Sequence, residues 1–139
     1  MIITVLMFNF LKLKAMTEII YKEESYEIIG ICMEVHNYLG KGFSEIVYKD
    51  ALEYEFKKAG IPYSREKEFT VQYKDVILPH KFFADFTLYN KILLEAKAIK
   101  ELTDEHLGLT MNYLCVADYR LGLLVNFGEK SLIYKRVVL

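Results

Sequence analysis

From Ser25 to about Leu39, the apolar residues Ile28, Ile29, Cys32, Val35 and Leu39 recur at helical spacing. Ser25 is placed to cap this helix and Gly40 to end it. A second helix is predicted after the Gly40-Lys41-Gly42 turn, from about Ser44 to Lys58, with Val47, Ala51, Leu52 and Ala59 along one side and Gly60 and Pro62 closing it. The period then changes. Glu68 to Tyr73 (EFTVQY) alternates as a strand does, and Lys81–Leu88 and Ile92–Ile99 read as two more strands around a Tyr89-Asn90-Lys91 turn. Thr103 caps a third predicted helix that carries Leu107, Met111 and Leu114 and stops near Ala117. The run Arg120–Phe127 (RLGLLVNF) is almost wholly apolar, as expected of a strand covered on both faces, and Ser131–Val138 reads as a final edge strand. The order of elements predicts an α/β (α+β) fold: a mixed sheet flanked by helices.

Composition narrows this only slightly. A chain of 139 residues, 53% of them hydrophobic, suffices for one well-filled core. We expect a single domain over residues 16–139. Residues 1–15 read as an upstream extension with Met16 as the true start, or else as a short strand or partner-binding arm. The apolar run there is shorter than the roughly 20 residues a bilayer span requires, so no membrane partner is expected. Its lysines, Lys12 and Lys14, follow the apolar part instead of preceding it as in a secretory signal. Cys32 and Cys115 are far apart and fit neither a disulfide framework nor a thiolate zinc site; reduced, core-facing thiols in a cytoplasmic protein are the expectation. A net charge of -1 gives no global attraction to nucleic acid, so any anion site must be local. The uninterrupted apolar faces are compatible with a homodimer.

The candidate chemistry lies in DFTLYNKILLEAK, residues 85–97. Glu95 and Lys97 share one face of their strand, and Ala96 points the other way. If Tyr89, Asn90 and Lys91 form a three-residue loop, Leu88 pairs with Ile92 and Asp85 falls opposite Glu95. A two-residue loop would put the two carboxylates on opposite faces. Like charges across a strand pair repel, and burial raises the cost. A divalent cation reverses the sign, because Mg²⁺ takes one or two carboxylates together with waters and phosphate oxygens. Lys97 would stand beside the metal-bound water or neutralise charge on a phosphate. A solvated cross-strand pair is the plainer alternative, although the Leu93-Leu94 flank argues for a buried strand.

A second signal is GFSEIVY, residues 42–48. Gly42 allows a sharp turn, and Glu45 and Tyr48, three apart on a helix, share a face. Ordinary helix-start chemistry also explains Ser44 and Glu45. His106 opens the third helix and either faces the site or serves as a partly exposed hydrogen-bonding residue. His36 is expected between helix and sheet and His80 in an exposed turn; no histidine pair has zinc-ligand spacing. Lys49, Lys57, Lys58, Arg65, Lys67, Lys74 and Lys81 could form a local basic rim for a phosphate backbone, or a solvated surface.

The spacing GxxExxY followed by a D…ExK hairpin resembles the GxxExxY protein family, grouped with the PD-(D/E)XK nuclease-like superfamily. The stretches VHNYLGKGFSEIVYKDAL (35–52), FADF…LEAKA (83–98), LTDEH…NYL (102–114) and RLGLLVNFG (120–128) carry the resemblance from Tyr26 to the C-terminus. It implies a restriction-endonuclease-like core and Mg²⁺- or Mn²⁺-dependent hydrolysis of phosphodiesters, in DNA ahead of RNA, leaving a 5′-phosphate. Asp85 and Glu95 would bind the metal, with Glu45 as an additional acidic ligand, and Lys97 would be the catalytic lysine. Tyr48 would support the site near the substrate. The family commonly has a glutamine near position 109, where this chain has Leu109. That departure keeps open the alternative of a catalytically inactive nuclease-like module that binds nucleic acid or protein.

Overall fold

The computed structural model describes residues 4–7, 9 and 19–139. The expected extension over residues 1–15 lies mostly outside these; within it, residues 4–7 are helical and exposed. Helix α1 spans Lys22–Leu39 and α2 spans Glu45–Ala59. Strands β1 (Tyr63–Tyr73), β2 (Val76–Leu88) and β3 (Ile92–Lys97) follow, then helix α3 (Asp104–Ala117) and strands β4 (Leu121–Asn126) and β5 (Ile133–Val138). The sheet order is β1-β2-β3-β4-β5. Neighbouring strands are antiparallel except β3 and β4, which run parallel with α3 as the connection between them. The mixed sheet flanked by helices is the predicted class.

The helix pair α1/α2 covers one face of the sheet and α3 the other. Under α1 and α2 lie Phe86, Leu88, Ile92, Leu94, Leu123 and Val125; on the other face Leu114 of α3 packs with Ala84, Leu93 and Val137 of the sheet. Strand β3 is therefore buried on both sides, which is why its apolar residues do not alternate with polar ones. At Gly122 of β4 a methyl group would sit 3.0 Å from Cγ2 of Thr110 and 3.3 Å from Leu114, so the glycine lets α3 approach the sheet closely.

Three expectations need correction. Helix α1 begins at Lys22, one turn before the predicted cap, after Tyr21 in a left-handed conformation (φ 50°). Ser25 lies inside the helix and is buried; its hydroxyl donates to the Lys22 carbonyl and accepts from Arg136, whose other nitrogen binds the Ile20 carbonyl. The start of α1 is thus set by a tether to β5, a contact no local pattern reports. On α2 the buried face is Tyr48, Leu52 and Phe56 instead of one centred on Val47 and Ala51, because the aromatic rings fill the space over the sheet: Tyr48 stacks on Phe127 and Phe56 meets Phe86 edge-on. Of the two cysteines only Cys32 is core-facing, with its thiol pushed up to about 12 by burial; Cys115 is exposed. His36 is buried as expected, with Nε2 on the Glu129 carbonyl, and His80 is exposed.

The chain leaving β3 is clamped at one point. The Asn126 side chain accepts from the amides of Ile99 and Gly128, each at 3.0 Å, and donates to the Ile99 carbonyl and to Glu129, each at 2.9 Å. This fully satisfied amide holds residues 97–99 against the end of β4. The clamp closes only because position 128 has no side chain: a methyl group there would collide with the backbone of Ile99 and lie 2.8 Å from the Ala98 carbonyl carbon. Gly128→Ala is therefore expected to cost about 2–3 kcal/mol in urea unfolding, the scale of an overpacked core.

Candidate active site

The three-residue loop is present: Leu88 pairs with Ile92, Thr87 with Leu93 and Phe86 with Leu94, and the backbone ladder stops there. One step further, Asp85 and Glu95 face each other and their side chains take over the pairing. Asp85 Oδ2 accepts from the Ala96 amide at 2.8 Å, and Glu95 Oε1 accepts from the Asp85 amide at 3.3 Å. Beyond this level β2 continues with β1 and β3 with β4, so the sheet opens between them.

The opening coincides with a reversal of faces. In β2, Phe86 and Leu88 pack toward α1 and α2, whereas Ala84 packs toward α3. In β1, Tyr63 and Arg65 lie on the α2 side, whereas Phe69 lies on the α3 side. Regular alternation forbids both. The reversal falls on Glu66, a left-handed residue in mid-strand (φ 52°), in the register position facing Asp85 between Arg65↔Phe86 and Lys67↔Ala84. Asp85 therefore stands where both layers reach it. From α2, Lys49 Nζ lies 2.9 Å from Asp85 Oδ1 and 2.6 Å from Glu66 Oε1. On the α3 side a cavity of about 210 Å³ is lined by Phe83, Asp85, Glu95, Lys97, His106, Leu109, Thr110 and Tyr113.

Electrostatics at the cleft follow from burial. Glu95 is 7% exposed, and its carboxyl is pushed up to about 9, first by burial and then by the Asp85 charge; the Asp85 amide and Lys97 oppose the rise without cancelling it. Burial also disfavours charge on Lys49, yet its hydrogen bonds to Glu66 and Asp85 prevail and its pKa is raised. Lys97, half-buried at the end of β3, forms no ion pair among the described residues. The Tyr113 phenol is raised by burial and by the Glu95 and Asp85 charges.

The family model of the PD-(D/E)XK nuclease superfamily matches residues 22–137, a span that runs from the start of α1 into β5. The chain belongs to this superfamily. No curated protein matches it. Among solved structures it is similar to the one titled "Crystal structure of SSO0001", with a TM-score of 0.58 and 19% identity over 68% of this chain and 50% of that one. At that identity the likeness establishes a shared fold, and this chain matches about half the length of that protein.

Within this PD-(D/E)XK domain the expected residues divide into two groups. Asp85, Glu95, Lys97 and His106 line the cleft. His106 Nδ1 accepts from the Thr103 amide at 3.0 Å and contacts its hydroxyl at 2.8 Å, so it closes the cap of α3 and forms part of the cavity wall. Glu45, Tyr48 and Gly42 do not line the cleft. Glu45 is on the turn of α2 preceding Lys49, and Lys49 is the residue of that face that reaches Asp85. Tyr48 is fully buried; its hydroxyl donates to the Gly40 carbonyl and accepts from the Phe43 amide, pinning the turn in which Gly42 takes φ 114°. Most of the anticipated basic rim is already paired: Lys49 as described, Arg65 with Asp50 and Glu53, Lys57 with Glu53 and Lys81 with Glu68. Sequence reasoning missed Glu66, Thr110 and Tyr113 as neighbours of the site, and missed the role of Lys49 within it. Only the helical spacing from His106, which puts Thr110 and Tyr113 on its face of α3, could have pointed to part of the wall.

Among the described residues no three of His, Cys, Asp and Glu stand close enough to form a metal-binding group. The donor set that does converge is a pair of carboxylates, one of them buried and resisting ionisation beside the other. A hard divalent cation is satisfied by one or two carboxylates when waters and phosphate oxygens complete its shell, so the pair fits such an ion.

Proposed function

We propose that the protein is a nuclease that hydrolyses phosphodiesters with Mg²⁺ or Mn²⁺, on DNA ahead of RNA. The observation that carries this reading is the convergence of Asp85, Glu95 and Lys97 on one cleft where the hairpin opens. Asp85 and Glu95 would hold the cation, which when bound polarises the scissile phosphate and its attacking water. Lys97 enters from the same strand face as Glu95, with its ammonium in no ion pair among the described residues; it would orient the water and offset charge on the phosphate. The Ala96 and Asp85 amides fix both carboxylates, so the geometry is set before substrate arrives. His106, with Nδ1 engaged as an acceptor, lines the cleft beside them. Tyr113 adds a phenol that can donate to a phosphate oxygen.

The second reading, an inactive nuclease-like binding module, rests on Leu109, which lines the cleft, is 52% exposed and offers no hydrogen bond where the resemblance expects a glutamine. A supercoiled-plasmid assay separates the two. The nuclease reading expects nicking with Mg²⁺ or Mn²⁺, none with chelator and none for Glu95→Ala. Nicking that persists in Glu95→Ala refutes the site, and a wild-type protein inert with both metals favours the binding module.

A further inference from the structure

We propose that Lys49 is an internal counter-ion that exchanges with the divalent cation at Asp85 and uses Glu66 as its second berth. The inference rests on the metal site proposed above and concerns how that site is kept when no metal is bound. Two acids share the mouth of the cleft, and Asp85 has a cation on it already: the Lys49 ammonium, 2.9 Å from Oδ1. The side chain of Lys49 is 11% exposed and that of Asp85 14%, so the pair is poorly screened by water. A metal ion that takes Asp85 as ligand would meet this ammonium as a competitor for the same carboxylate.

Glu66 makes the exchange possible. Its carboxylate is closer to Lys49 than Asp85 is, at 2.6 Å, and it stands outside the cavity lining. Glu66 holds this position with a left-handed backbone inside a strand, a conformation that a non-glycine residue adopts only at a cost. Strain of this kind persists where the surroundings impose it, and here it falls at the level where the sheet opens. When a cation arrives, Lys49 gives up Asp85 and keeps Glu66, so its charge stays neutralised and it need not leave the protein. Lys49 is therefore a positioning residue: it sets the affinity for metal without touching the phosphate.

Mn²⁺ binding to the full chain, measured by isothermal titration and by the shift in melting temperature, tests this directly. Lys49→Met is expected to lower the melting temperature without metal and to tighten Mn²⁺ binding about tenfold. Glu66→Gln, which removes the berth, is expected to weaken Mn²⁺ binding. The decisive arm is the double variant: with Lys49 already replaced, Glu66→Gln changes Mn²⁺ affinity by less than about twofold, because Glu66 acts through Lys49. An equal loss from Glu66→Gln in both backgrounds would mean simple long-range attraction and overturns the exchange, as does unchanged or weaker binding by Lys49→Met. Lys49→Gln serves the same comparison if the methionine variant does not fold. Wild type that binds Mn²⁺ no differently from Lys49→Met refutes the counter-ion alone. Absence of Mn²⁺ binding from wild type and all variants refutes the metal site itself.

Discussion

Lys97→Ala is expected to nick plasmid DNA about 10³-fold more slowly than wild type while retaining its fold and its stabilisation by Mn²⁺. The two effects separate because the backbone and the side chain of Lys97 have different duties. The backbone is held by the residue after β4, Phe127, whose amide donates to the Lys97 carbonyl at 2.7 Å, and by the Asn126 clamp on Ile99. The ammonium is tied to no carboxylate among the described residues, so its removal breaks no ion pair. Glu95→Ala, by contrast, should lose both nicking and Mn²⁺ stabilisation, since it removes one of the two carboxylates proposed to hold the ion. Parallel melts and plasmid assays on the two variants check this. Activity within a few-fold of wild type in Lys97→Ala would take that residue out of the chemistry.

Metal-free Glu95→Gln should be more stable than wild type at pH 8, and the difference should vanish near pH 4. The sign follows from linkage. The Glu95 carboxyl titrates near 9 in the folded protein, well above an unfolded glutamate at about 4.3. A raised folded value contributes fully below the unfolded value and is lost as the pH climbs through the folded one. Wild-type stability should therefore fall across that window by up to about 1.4 kcal/mol per pH unit, the slope for one proton retained on folding. Glutamine has no proton to lose and abolishes that slope. Saturating Mn²⁺ should abolish it in wild type as well, by favouring the ionised carboxylate. Urea unfolding at intervals from pH 4 to pH 9 measures all three curves, and a wild-type curve as flat as that of the variant would show that Glu95 ionises without penalty.

Legibility of the sequence depended on how local the cause was. The Tyr89-Asn90-Lys91 loop sets the β2/β3 register within the hairpin, so Asp85 opposite Glu95 could be counted from the residues. The uniformly apolar β3 and β4 and the Thr103 cap were equally local. By contrast, β1 begins at Tyr63 and β2 at Val76, each five residues before its expected start at Glu68 and Lys81. The face reversal at Glu66 and Asp85 is the reason: alternation computed across it cancels, and the outer half of the hairpin is largely exposed. The third acidic ligand expected at Glu45 and the residue found, Lys49, are one helical turn apart. Which of them meets Asp85 depends on how far along the sheet α2 sits, and that is fixed by Tyr48 against Phe127 and Phe56 against Phe86. Contacts of that range leave no periodic trace.

The reversed hairpin also bears on how such a chain can change length. Inserting or deleting one residue near Glu66 or Asp85 would turn every side chain beyond it to the opposite face, taking Ala84 and Phe69 out of the layer under α3 and putting their outward-facing neighbours there instead. Additions at the Lys74-Asp75 tip would disturb no such packing. Growth or shrinkage of this arm is thereby confined to its far end, and the acidic pair keeps its place however long the arm becomes.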